Sequence, residues 1–95
     1  MYISDIYWLP AVVDKLIEKH QVDPIEVEEV FTGRPQFHRQ ERGKVQGEDL
    51  YIALGQTEAG RYLTVFFIRK VGGIALIISA RDIDAGERRQ YGRSR

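Results

Sequence analysis

The chain of 95 residues has no cysteine and no long apolar run. Without cysteine it can form neither a disulfide nor a thiolate-ligated zinc site. Its longest apolar run, LTVFFI, is far shorter than the roughly 20 residues that cross a bilayer. The N-terminus also lacks the basic and apolar segments of a secretory signal. These absences favour a small soluble protein without membrane contact, and we expect a cytoplasmic location.

A net charge is also lacking, because fourteen acidic residues balance fourteen basic ones. The two parts of the chain nevertheless differ. Residues 1–31 carry seven acids and two lysines, whereas residues 32–95 carry twelve bases and seven acids. A fold that separates these parts would present a basic face to a polyanion and an acidic face, over helices 11–31, to a basic partner. Ordinary surface decoration explains the same split equally well.

The first third of the chain reads as one strand and two helices. In order, these are a β-prone segment over 2–8 and apolar residues at helical spacing over 10–20 and 23–31. Asp23 is a suitable N-cap for the second helix, and Glu26 completes a capping box. Gly33 follows, where we expect a left-handed residue to end that helix.

The rest of the chain reads as four strands and a final helix. The predicted strands cover 35–40, 50–55, 61–70 and 74–79, with an exposed loop over 42–49. Pro35 places the first at an edge, because proline cannot donate to a ladder. The last two are nearly all apolar and form a hairpin across VGG, as expected of central strands. Asp84 and Glu87 form a second capping box at the start of a short helix.

This order predicts a single α+β domain over 1–95. Two N-terminal helices pack on a largely antiparallel sheet of four to five strands, and a short helix ends the chain. The sequence contains no phosphate-binding loop, dinucleotide fingerprint or nucleophile elbow. Two histidines eighteen residues apart make a weak metal site. We therefore predict neither a metal nor a cofactor.

Three segments resemble the BrnT toxin family of type II toxin–antitoxin systems: EKHQVDPIEVEEVF, GEDLYIALGQTEAGRYLTVFFIR and ISARDIDAGERRQY. The most specific features are ALG, then GR before an apolar residue, then ISAR and ERR-x-Y. The similarity covers about residues 12–91. Gln21 departs from the pattern, since glycine is usual in the family at that position.

The resemblance implies a compact RelE-like fold and a ribonuclease that cleaves RNA without a metal. It also implies a cognate antitoxin that neutralises the toxin, forms a hetero-oligomer with it and represses transcription. A degenerate family member that only binds its partner is the alternative reading. An RNA-cleavage assay separates the two.

RNA can be cleaved without a metal because its own 2′-hydroxyl is the nucleophile. The reaction needs a base, a cation for the transition state and an acid for the leaving oxygen. Arginine suits the second task, since its planar fork matches phosphate. A hairpin turning at 72–73 places Arg81 near Arg61 and leaves Arg69 near the turn. We expect Arg61 and Arg81 to grip one phosphate, joined by Arg88 or Arg89.

Four other residues are candidates for the same reaction. Glu48 is a candidate base. Tyr91 matches the C-terminal tyrosine that RelE-like proteins commonly use, for base stacking or proton transfer. Arg69 and His38 are candidate RNA contacts, His38 because it lies between an aromatic residue and an arginine on a predicted edge strand.

Four of these candidates also have a structural reading. Arg61 and Arg81 could form salt bridges with Glu48 or Glu87. Glu48 could be a solvated loop carboxylate, and His38 could be part of a plain exposed strand.

Overall fold

The computed structural model describes residues 1–45 and 47–93. The elements are, in order, β1 (Asp5–Tyr7), α1 (Pro10–His20), α2 (Pro24–Thr32), β2 (Gln36–Glu41), β3 (Leu50–Gln56), β4 (Tyr62–Lys70), β5 (Ile74–Asp82) and α3 (Ala85–Arg93). The five strands form one sheet in the order β1-β5-β4-β3-β2. The β1–β5 pair is parallel and the other three pairs are antiparallel. The predicted α+β fold is confirmed.

Local sequence signals account for the helix starts. Pro10 and Pro24 occupy the first turns of α1 and α2, where a missing N–H costs nothing. The Asp23 carboxylate accepts from the Ile25 N–H at 2.9 Å, and the capping box with Glu26 is present. The second box forms as predicted, since Asp84 and Glu87 each accept from the other's backbone N–H, at 2.8 and 3.0 Å.

The left-handed helix end lies at Gln21 instead of Gly33. Gln21, after α1, has φ 52° and ψ 41°, whereas Gly33 has φ −85°. The expectation for Gly33 is wrong, because α2 ends without a residue in the left-handed conformation. The Gly33 N–H donates to the carbonyls of Glu29 and Val30 at 3.0 and 3.3 Å.

The sheet has two faces that are covered differently. The helix-pair face lies under α1 and α2 and carries three fully buried residues of β4: Leu63, Val65 and Phe67. Phe67 is the centre of an aromatic group, with ring centroids of Phe31, Phe37 and Tyr51 within 5.3–5.8 Å of its own. Rings of this size dominate the energetics of a small core.

The opposite face is covered in part by α3. We call it the α3 face; its β4 residues are Tyr62, Thr64, Phe66 and Ile68, the alternate positions of the strand. Tyr91 of α3 is 2 % exposed and packs on this face against Ile52 and Leu54. Phe66 and Ile68 remain half-buried, so part of this face is open to solvent.

We predict that Gln21→Gly raises the stability of the fold. A side chain in the left-handed region is strained, and glycine removes that strain at a smaller entropic cost. The gain expected is about 0.5–1 kcal/mol in the free energy of unfolding, measured by urea titration. Gln21→Ala is the matched control and should give no gain. Equal stability of the two variants would contradict the prediction.

Candidate functional site

Arg61 and Arg81 lie at the same end of the sheet but on opposite faces. The Arg61 guanidinium reaches the α1–α2 connection on the helix-pair face, where it contacts Glu26 at 3.1 Å. Arg81 instead pairs in register with Thr64 and lies on the α3 face. The expectation that these two arginines grip one phosphate is therefore wrong.

A β-bulge in β5 separates the two arginines. Phe67 of β4 pairs with Ile77 of β5, but the next residue, Phe66, pairs with Ser79. Ile78 is therefore an extra residue, and every side chain beyond it changes face. In an unbroken hairpin Arg81 would lie opposite Leu63 and share the face of Arg61.

The donors of Arg61 are used within the fold. Its Nε donates to Asp82 at 2.8 Å, and its Nη1 donates to the Gln21 carbonyl at 2.7 Å as well as to Glu26. Its Nη2 donates to the His20 carbonyl at 3.3 Å. The hydrogen bond to Asp82 raises the pKa of Arg61; burial opposes this, and the charges of Asp82 and Glu26 support it. Arg61 thus ties the end of α1 to the end of β5.

Arg81 is held by a carboxylate on the other face. Its Nη1 and Nη2 donate to the two oxygens of Glu87, each at 2.9 Å. Thr64, fully buried, donates to Glu87 Oε1 at 2.7 Å, and the Asp84 N–H does so at 3.0 Å. This is the ion pair that the structural reading of Arg81 predicted.

These contacts set the ionisation of Glu87. Burial alone would raise its pKa, but the hydrogen bonds from Arg81, the Asp84 N–H and Thr64, with the charge of Arg81, lower the pKa to about 2. The hydrogen bond to Glu87 in turn raises the pKa of Arg81 against the effect of burial. Both partners are therefore ionised at neutral pH.

A row of side chains on the α3 face joins the imidazole of His38 to the guanidinium of Arg81. His38, Ile52, Phe66 and Ser79 are consecutive register partners across β2, β3, β4 and β5. The Arg81 Cζ lies 5.2 Å from the centroid of the Phe66 ring. His38, Phe66 and Ser79 are half-buried, and Ile52 is 4 % exposed. We call this row, with Arg81 above it, the α3-face cleft.

α3 forms one wall of the cleft and fixes the imidazole. His38 Nε2 lies 2.6 Å from Gln36 Oε1, and His38 Nδ1 lies 3.4 Å from Gln90 Nε2. The amide assignments place the proton on Nε2, which donates to Gln36, and leave Nδ1 as the acceptor. His38 and Phe66 are two strands apart, about 10 Å at the usual strand spacing.

The arginines of α3 are exposed beside the cleft. Arg88 stacks on Tyr62, with its Cζ 4.1 Å from the ring centroid, and its Nη2 donates to the Tyr62 hydroxyl at 3.0 Å. Arg89 is exposed as well. The role of Tyr62 as a support for Arg88 was not foreseen, because the two residues are 26 positions apart and only the fold brings them together.

The side chains of the remaining candidates are buried or engaged in other contacts. Tyr91 is buried, and its hydroxyl donates to the Arg34 carbonyl at 3.1 Å. Glu48 forms an ion pair with Lys70, and Arg69 donates to the Tyr2 carbonyl at 3.1 Å. Lys70 ends β4, about 13 Å along the strand from Phe66.

Within residues 1–45 and 47–93, no cluster of three or more histidine, cysteine, aspartate or glutamate side chains is arranged to hold a metal ion. None of the helices described is long and apolar enough to cross a membrane.

The fold is similar to a solved ribonuclease toxin. It matches the 1.1 Å crystal structure of the Brucella abortus ribonuclease toxin BrnT with a TM-score of 0.61 and 17% sequence identity, over 84% of this chain and 96% of that one. No curated protein matches the chain in sequence. The model of the family described as "Ribonuclease toxin, BrnT, of type II toxin-antitoxin system" matches residues 8–87. The chain therefore belongs to the BrnT family of ribonuclease toxins of type II toxin–antitoxin systems, and the resemblance noted in the sequence is confirmed.

The Arg61 contacts predict a structural role that can be measured. Arg61→Met keeps an apolar stem but removes the donors to Asp82 and to the end of α1. We expect a loss of about 1–2 kcal/mol in the free energy of unfolding, since hydrogen bonds of a charged donor are lost. Arg42→Met, at an exposed position, is the control and should change stability little. Equal losses for both variants would show that the Arg61 contacts do not stabilise the fold.

The depressed pKa of Glu87 predicts a loss of stability in acid. The unfolded chain takes up this proton near pH 4.5 and the folded chain near pH 2. The contribution of Glu87 is therefore complete above about pH 4.5 and is lost as the pH falls towards 2. Urea titrations between pH 7 and pH 3 measure the free energy of unfolding. Wild type should be more stable than Glu87→Gln at pH 7, and this difference should shrink as the pH falls. Glu18→Gln, at an exposed site, should run parallel to wild type, and a constant difference between wild type and Glu87→Gln would contradict the prediction.

Proposed function

We propose that this chain cleaves RNA in the α3-face cleft, without a metal, and that a cognate antitoxin protein neutralises it in the cytoplasm. Membership of a ribonuclease toxin family supports the reaction class and the kind of partner. The observation that carries the site is the row that joins His38 to the guanidinium of Arg81 on an open face of the sheet.

His38 is the proposed base. Histidine is the side chain that most often serves as a general base in enzymes. Its Nδ1 has only the long contact with Gln90 to give up before it accepts the proton of the 2′-hydroxyl. The 2′-oxygen then attacks phosphorus, and the 5′-oxygen leaves with the proton that His38 returns. The products are a 2′,3′-cyclic phosphate and a 5′-hydroxyl.

Arg81 is the proposed stabiliser of the negative charge that develops on the phosphate oxygens. Glu87 fixes the guanidinium by two hydrogen bonds, so that its position is set before RNA binds. The Arg81 side chain is 36% exposed, so part of the guanidinium can contact a substrate. Bases stack on arginine in RNA complexes, and the same contact is proposed for Arg81.

Arg88 and Arg89 are the proposed contacts to flanking phosphates. Both are exposed on α3, and Tyr62 holds Arg88 in place. Arg61, Glu48, Arg69 and Tyr91 are left out of the proposed site. The first three are bound to other groups away from the row, and Tyr91 is buried against Ile52.

One observation favours the non-catalytic alternative. Both Arg61 and Arg81 are paired with carboxylates of the same chain, and a paired arginine attracts phosphate less than a free one. In that case the chain would act as a module that binds its partner without cleaving RNA.

We predict that His38→Asn lowers the rate of RNA cleavage about 100-fold or more, the range for loss of a general base. Cleavage of a labelled RNA by the purified chain, in the presence of EDTA, measures it. His20→Asn is the matched control, since it changes the other histidine of the chain and should cleave like wild type. Both variants should melt within a few degrees of wild type.

The same assay can reject the proposal. Full activity of His38→Asn would remove His38 from the site. Loss of wild-type cleavage in EDTA would contradict a metal-free reaction, and an inactive wild-type chain that still binds its partner would favour the non-catalytic module.

A further inference from the structure

β2 presents an open strand edge. It lies at one end of the sheet, and among residues 1–45 and 47–93 it pairs only with β3. Over the described residues, none of its backbone groups bonds to anything on the outer side. Because Gln40 is an extra residue opposite β3, the regular part of the edge is Gln36–Arg39. An edge of this kind is a template for another strand.

The other end of the sheet is protected. β1 has three residues and covers only the first part of β5, from Ile74 to Leu76. Just beyond it, Lys15 of α1 donates to the Ile78 carbonyl at 2.9 Å. Short edge strands and lysines at edges are common means of preventing strand addition. β2 has neither protection, and Pro35 lies outside the strand.

The surroundings of β2 are basic. Four exposed cationic residues lie within eleven positions, against one acid, Glu41; they are Arg34, Arg39, Arg42 and Lys44. Arg39 makes only a long contact of 3.7 Å with Asp49. A second copy of this chain paired here would bring like charges together, which is unfavourable. An extended acidic segment would meet complementary charge.

We propose that the outer edge of β2 binds an extended, acidic segment of the antitoxin as a sixth strand; this rests on the antitoxin partner proposed above. The added strand would lie one strand spacing, about 4.8 Å, from β2. It would border His38 directly, since His38 is in the regular part of the edge. Neutralisation would then follow from occupation of one end of the α3-face cleft.

Hydrogen–deuterium exchange gives the direct test. In an antiparallel edge strand, every second amide points outward and exchanges freely. The chain is measured alone and in complex with the protein encoded beside it, after co-expression and purification. We expect exchange of about half the amides of residues 36–41 to slow by at least about tenfold in the complex.

A variant tests the charge argument. Arg39→Glu should weaken the complex about tenfold or more, measured by titration, since it places a like charge against an acidic strand. Lys19→Glu, an exposed reversal on α1, is the control and should bind like wild type. Melting temperatures show that both variants fold, and the exchange experiment on the wild-type chain does not depend on either.

The outcomes separate this inference from the proposed function. A complex in which residues 36–41 exchange as in the free chain overturns the edge assignment but leaves the antitoxin partner intact. Equal affinities for Arg39→Glu and Lys19→Glu also overturn it. Failure of the two proteins to associate at all overturns both the proposed partner and the edge assignment. Neither result affects the proposed RNA cleavage, which is measured on the free chain.

Discussion

The bulge at Ile78 decides which side chains at the end of β5 reach each face of the sheet. One extra residue in β5 reverses the faces of all the side chains that follow it. As a result, Asp82 points to the helix-pair face, where Arg61 binds it, and Arg81 points to the α3 face, where Glu87 binds it. Lys15 holds the carbonyl of the bulged residue from α1. Two neighbouring residues of one strand thus anchor helices on both faces of the sheet.

Local signals in the sequence were sufficient for the elements but not for the site. Asp23 with Glu26 and Asp84 with Glu87 identify their helix starts because a capping box closes within four residues. The bulge has no such signal. The segment IALIIS is apolar at nearly every position, so its pattern does not distinguish one face of the sheet from the other. A bulge of one residue therefore leaves no signal in the hydrophobic pattern.

The bulge explains why the predicted phosphate pair was wrong, and the predicted end of β5 at residue 79 was too early. β5 continues to Asp82 because Ala80 and Arg81 still pair with Val65 and Thr64. The row from His38 to Ser79 could not be read from the sequence either, since it joins four strands through three registers. The two charged partners of Arg61, Glu26 and Asp82, are 35 and 21 residues away from it, and only the packed fold brings them together.

β2 contributes both to the cleft and to the open edge of the sheet. Its side chains alternate, so that Phe37 enters the core of the helix-pair face while His38 lies in the cleft of the other face. The outer backbone groups of β2 form the edge, and pairing through them does not require the side chains of the cleft. A family member that had lost its chemistry would therefore keep its docking edge. Conversely, a partner bound to the edge would obstruct the cleft without touching Arg81, because Arg81 lies three strands away on β5.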